Sequence, residues 1–179
     1  LLTLSLLAAA VSPAYGQEET AVQESTLAVQ LLTALGIAKG YEDGSLRLDQ
    51  EITRAECSVL LLRAMGLSGM ENSAPADTPF WDVTADHWAA ADIAAATAVG
   101  IVNGDGGQFR PEDPVLYEEA AKMLVCALGY DVYAENEGGY PLGYWKVAAR
   151  YDLLAGVTAE RTAQAVRGDV AAMVYQTLR

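Results

Sequence analysis

Apolar residues recur along this chain in one repeated order. Between Trp88 and Val99 they stand at Trp88, Ile93, Ala96 and Val99, the spacing of a single helix face, and Gly100 follows where a helix closes. The next stretch, GDGGQFRPEDPV, holds Gly106, Gly107, Pro111 and Pro114, all unfavourable to a continuing helix. Phe109 and Val115 can turn inward there and pin the loop. A second helix is predicted to start near Tyr117. Upstream the restart is explicit: Thr53 and Glu56 spell a T-x-x-E capping box, whose hydroxyl and carboxylate satisfy free amides at a helix start. Cys57, Leu60, Leu61 and Ala64 then give a buried face, and Gly66 ends it.

These two stretches are copies of each other. LGIAKGYEDGSLRLDQEITRAECSVLLLRAMGL, from Leu35 to Leu67, aligns with VGIVNGDGGQFRPEDPVLYEEAAKMLVCALGY, from Val99 to Tyr130. Gly36 matches Gly100, Gly40 matches Gly104, Leu46 matches Phe109 and Arg54 matches Tyr117. A third copy, YDLLAGVTAERTAQAVRGDVAAMVYQTL, from Tyr151 to Leu178, sets Gly156 opposite Gly40 and Arg167 opposite Arg54 with a shorter loop. Each copy reads as helix, glycine-punctuated loop, helix, so the expected class is mainly α.

The amino terminus follows another rule. LLTLSLLAAAV, Leu1 to Val11, is too short to span a bilayer comfortably, and Ala14 and Gly16 suit signal peptidase, so residues 1–16 read as a signal peptide that starts inside its own core. The mature chain is expected to begin at Gln17 with a polar linker over 17–24, and no later run is long and apolar enough for a membrane span.

Composition narrows the chemistry. The 179 residues are 52% hydrophobic, ample for a core, and rich in Ala and Leu. A net charge of −13 opposes nucleic acid and anionic lipid, so an anionic ligand must be held by a few local Arg or Lys side chains. The single histidine, His87, and two distant cysteines, Cys57 and Cys126, remove the familiar zinc and nucleophile–base arrangements; the cysteines read as small buried hydrophobes. YEDGS and GDGGQ lack the ligand pattern of a calcium loop. Glu118 and Glu119 point about a hundred degrees apart on a helix and read as a solvated face, not a catalytic pair. No catalytic residue, metal or cofactor is expected.

The residues PFWDVTADHWAAADIAAATAVGIVNGDGGQFRPEDPV, Pro79 to Val115, together with ITRAE, Ile52 to Glu56, resemble the S-layer homology family, whose order is F-x-D-V, a Trp, a helix, G-I-x-x-G, F-x-P and T-R-A-E. The resemblance divides the chain into repeat 1 over 25–68, a linker over 69–78, repeat 2 over 79–130 and repeat 3 over 131–179. It implies a pseudo-threefold, three-pronged spindle of helices on an exported protein of the bacterial cell surface or wall. It also implies binding of secondary cell-wall polysaccharide, often pyruvylated, with a cargo domain beyond Arg179. A ketal pyruvate is a carboxylate on a sugar, which suits an arginine fork, an aromatic face and close backbone. Carried over, this names Arg54, Arg167, Trp88, Gly40 and Gly104 as glycan-binding residues. LYEE, Leu116 to Glu119, puts Tyr117 where an arginine belongs and weakens one groove; VRGD, Val166 to Asp169, keeps the arginine but loses the Thr cap. Tyr140 takes the place of Trp88 in the third copy. The plainer roles are a surface position for Arg54 beside Glu51, core packing for Trp88, and a cap on the following turn for Asp82. The rival function is a protein-interaction or S-layer assembly module that has lost glycan binding.

Overall fold

The computed structural model describes residues 26–67 and 78–179. The expected signal peptide, the 17–24 linker and most of the 69–78 linker lie outside them. Among the described residues the chain forms α1 over 26–34, α2 Arg54–Ala64, α3 Ala90–Ala98, α4 Tyr117–Ala127, α5 Asp131–Asn136, α6 Leu142–Arg150 and α7 Arg167–Gln176, with only isolated bridges between extended segments. The fold is mainly α, as the repeats predict.

The helix starts follow local chemistry. Thr53 Oγ1 accepts from Glu56 N–H at 3.2 Å and Glu56 Oε2 accepts from Thr53 N–H at 3.1 Å, completing the capping box of α2. At α4 the leucine has no hydroxyl to offer, and only the carboxylate half survives, with Glu119 Oε2 accepting from Leu116 N–H at 3.0 Å.

The other first-turn amides find partners in a different repeat. Arg54 and Ala55 donate to Asp113 and Pro111 carbonyls, Tyr117 and Glu118 to Ala163 and Arg161, and Arg167 and Gly168 to Gln50 and Leu48, all within 3.1 Å. Gly168 suits this contact, because a Cβ would crowd the Leu48 carbonyl oxygen at 3.0 Å. One step inward, Ile52 N–H donates to Ala165 O at 3.0 Å, Ala165 N–H to Val115 O at 2.8 Å, and Val115 N–H to Ile52 O at 3.0 Å. This closed cycle is fully buried, so each bond satisfies a group that would otherwise be costly to desolvate.

The first helices end alike. Ile37, Ile101 and Leu153 donate back to Leu32, Ala96 and Ala148 carbonyls and bury their side chains, which is the hydrophobic C-terminal closure expected at Gly100. The left-handed residues before them are Gly36, Gly100 and, in the third copy, Asp152 at φ 57°. Phe109 and Val115 do pin the loop, both with no exposed surface.

Packing departs from the simple helix–loop–helix picture in two ways. Helix α2 lies on α3, and α4 lies on α6 and α5, so second helices pack on elements of the following repeat. Helix α5 is an addition that the repeat pattern does not predict; its six residues are too few to show periodicity. Gly143 lets α6 cross it closely, since a Cβ there would run into the Ala134 carbonyl. Cys57 on α2 is fully buried, Cys126 on α4 is half-buried, and both are free thiols.

Candidate functional site

Three junctions join the segments that the sequence marks as repeats, built on the first residues of α2, α4 and α7. At the junction of repeats 3 and 1, Arg167 Nε donates to Leu46 O at 3.1 Å, Nη2 to Lys39 O at 3.3 Å, and Nη1 pairs with Glu56 Oε1 at 3.2 Å. At that of repeats 1 and 2, Arg54 Nε donates to Phe109 O at 2.9 Å, Nη2 to Asn103 O at 3.2 Å, and Nη1 pairs with Glu119 Oε1 at 3.2 Å. The two sets are equivalent atom for atom. At the third junction the Tyr117 hydroxyl donates to Asp169 Oδ2 at 2.5 Å, a neutral donor in place of a cation.

The first junction opens into a groove of about 510 Å³. Its lining brings together Arg167, Gly40 and Trp88, three of the residues named from sequence, with Tyr41, Lys39, Arg63, Glu56 and Glu112. Ile37, Val59 and Leu60 supply apolar surface. Trp88 precedes α3 instead of lying in it, and it is 59% exposed, which corrects its expected core packing. His87 sets its flank: Nδ1 accepts from Ala89 N–H at 3.1 Å, Nε2 bonds Glu112 Oε1 at 2.9 Å, and the ring stacks on Trp88 at 5.8 Å. Three cations and two carboxylates line the groove, a local excess of positive charge on a chain of net −13.

Arg54 and Gly104 lie at the other junction. Arg54 is only 8% exposed, contrary to the surface position expected beside Glu51, because its guanidinium fills the space between the repeat 2 loop and α4. Gly104 is a packing glycine: a Cβ would overlap the Phe80 ring and stand 2.5 Å from Gln108 O. Tyr140, two residues before α6 as Trp88 is before α3, stands near this junction under the Lys122 ammonium at 5.1 Å.

Two acidic assignments are corrected. Glu118 is buried and Glu119 half-buried, so they form no solvated face. Glu118 pairs with Arg161, and Glu119 holds both Arg54 and, at 3.6 Å, Arg110. Asp82 caps a distant loop, accepting from Phe109 N–H at 2.8 Å and Arg110 N–H at 2.6 Å, and not the turn that follows it. One signal for the ion pairs was visible: an acid stands two residues after each junction residue, at Glu56, Glu119 and Asp169.

Buried acidic groups at one junction and elsewhere in the core make the fold sensitive to alkali. Burial first, and then its bond to Asp169, raises the Tyr117 hydroxyl pKa; burial and then Glu135 do so for Tyr144. Burial pushes the Cys57 thiol from 9.0 up to about 12. A raised folded-state pKa gives stability that is complete below the ordinary value and is lost as pH climbs through the raised one. Thermal unfolding is therefore expected to be unchanged to about pH 9 and to fall steadily toward about pH 12, tracked by tyrosinate absorbance. A flat melting temperature across that window contradicts these assignments.

A family model described as S-layer homology domain matches residues 23–56 and 79–121. Through these two segments the chain belongs to the S-layer homology family. The middle cell wall protein of Brevibacillus brevis is 33% identical over 184 residues, covering 98% of this chain and 17% of the relative. The surface layer protein of Brevibacillus choshinensis is 38% identical over 136 residues, covering 71% and 12%. The cell surface protein of Thermoanaerobacter kivui is 30% identical over 153 residues, covering 84% and 19%. The chain thus spans less than a fifth of each of these relatives. These matches mark an exported cell-surface protein and support a surface-anchoring role.

Proposed function

We propose that the chain holds its protein on the bacterial wall by non-covalent binding of an anionic secondary cell-wall polysaccharide, with the groove between repeats 3 and 1 as the principal seat. The carrying observation is the convergence of Arg167, Gly40 and Trp88, from three separate stretches of sequence, on one open groove of about 510 Å³. That size suits one or two sugar rings. A tryptophan left largely in water keeps its apolar face available to the C–H face of a sugar. The excess of cations suits a carboxylate or phosphate on that sugar. Binding of this kind needs no catalytic step.

Residues 131–179 act as the third repeat in this scheme, supported by the bonds of α7 to Gln50 and Leu48, which match those of α2 and α4. The cyclic backbone bonds support a pseudo-threefold packing. Arg54 and Gly104 are assigned to the framework of the second junction, while cargo is carried by the longer protein.

The test is co-sedimentation with purified wall sacculi, intact or stripped of secondary polymers with hydrofluoric acid. The wild type is expected to pellet only with intact walls. Trp88→Ala, at an exposed position, should stay folded and bind about tenfold more weakly, the equivalent of about 1.4 kcal/mol. A wild type that never pellets with intact walls transfers the role to protein interaction or assembly. Two features favour that rival: Tyr117 in place of an arginine, and the exposed Leu27 and Leu31 on α1 with Leu35 just after it.

A further inference from the structure

We infer that the anion in this groove is read by Lys39 and Arg63, whereas Arg167 is the strut that ties repeat 3 to repeat 1. This rests on the binding proposed above and deepens it. The Arg167 fork is already engaged: Nε and Nη2, the edge that would grip a carboxylate with two bonds, donate to the carbonyls of Leu46 and Lys39. Its charge is balanced by Glu56 at 3.2 Å, and its guanidinium carbon lies 5.0 Å from the Tyr41 ring centre. An anion approaching this arginine meets the Glu56 carboxylate as well.

Lys39 and Arg63 line the same groove in a different state. Among the described residues neither side chain has a hydrogen-bond, ion-pair or ring partner. The strut bonds the Lys39 carbonyl itself, so the backbone carrying this ammonium is tied to the junction. Arg63 stands on the α2 face that also presents Glu56, Val59 and Leu60 to the groove, at helical spacing. Two unspent cations on one groove with an exposed indole fit a sugar-borne oxyanion, either carboxylate or phosphate.

The pair is peculiar to this junction. The residue whose carbonyl receives Nη2 is Asn103 at the second junction, and the residue seven places after the junction carboxylate, where Arg63 follows Glu56, is Cys126 after Glu119. At the third junction the matching positions are Ala155 and Gln176. One anion-reading groove per chain follows.

The experiment uses the full chain, purified wall sacculi and a Lys39→Gln/Arg63→Gln double variant, with Lys122→Gln as the second-junction control. The double variant should lose about a hundredfold in wall affinity, about tenfold per side chain, at an unchanged melting temperature, while the control binds as wild type. Wild-type binding should weaken as salt rises. Displacement by glucuronate assigns a carboxylate, and displacement by glucose 6-phosphate assigns a phosphate. A wild type that pellets together with an equally bound double variant overturns this inference alone, as does salt-insensitive binding or a failure of both competitors. A wild type that does not pellet overturns the underlying function as well.

Discussion

Arg54→Ala lowers the stability of the fold by about 3–5 kcal/mol, the cost of removing one partner from a buried, hydrogen-bonded ion pair. Three acceptors lose a donor at once: the carbonyls of Phe109 and Asn103 and the Glu119 carboxylate, whose remaining partners are Arg110 at 3.6 Å and the Leu116 amide at 3.0 Å. At roughly 2–4 °C per kcal/mol for a chain of this size, the melting temperature falls by roughly 6–20 °C. Arg54→Lys recovers little of the loss, because a single ammonium cannot reproduce a planar fork that serves two carbonyls and a carboxylate. A variant that melts within about 1 °C of wild type would put this pair in the class of exposed ion pairs, whose typical worth is about 0–1 kcal/mol.

Phe109→Ala is expected to cost about 3–5 kcal/mol, read as a lower denaturation midpoint with an unchanged denaturant slope. The ring is fully buried and packs on Phe80 at 5.3 Å between centroids, joining the F-W-D-V opening of repeat 2 to its own loop. The backbone is gripped on both sides, with Phe109 N–H donating to Asp82 and its carbonyl accepting from Arg54. Alanine empties the space between those fixed points, where collapse is hindered. Phe109→Leu should cost much less, since repeat 1 uses Leu46 at the equivalent position. A loss below about 1 kcal/mol for alanine would show that the loop can close over the gap.

Taken together, these two variants separate framework from ligand contact. Arg54 and Arg167 occupy equivalent positions in the repeats and make the same set of bonds, so substituting either disturbs a repeat junction before it disturbs any bound sugar. A binding assay on an arginine variant is therefore interpretable only beside its melting curve. Trp88, Lys39 and Arg63 are better probes, because their side chains are not needed to close a junction.

Much of this protein is written locally and was legible as such. The capping box at Thr53 and Glu56, the closure at Gly100 and the inward pins Phe109 and Val115 each depend on residues within a few positions of one another, so spacing and residue type suffice. The order of motifs also carries the family. Helix α5 escapes the pattern because one and a half turns leave no period to read, and Trp88 is drawn into it because its spacing from Ala96 and Val99 fits the face of a helix that starts only at Ala90.

What the sequence alone determined, then, is where helices start and stop, which face of each is apolar, and which residues repeat. Only the tertiary structure decided what those faces and charges meet. Arg54 finds a carbonyl 55 residues away and Arg167 one 121 residues away, and backbone oxygens carry no side-chain signature that could announce them. Glu118 and Glu119 have the spacing of a solvated face, yet the next repeat and the preceding arginine bury and neutralise them. Periodicity encodes which surface must be covered; the covering partner is set by the closed cycle of backbone bonds among Ile52, Val115 and Ala165, which joins three segments far apart in the chain.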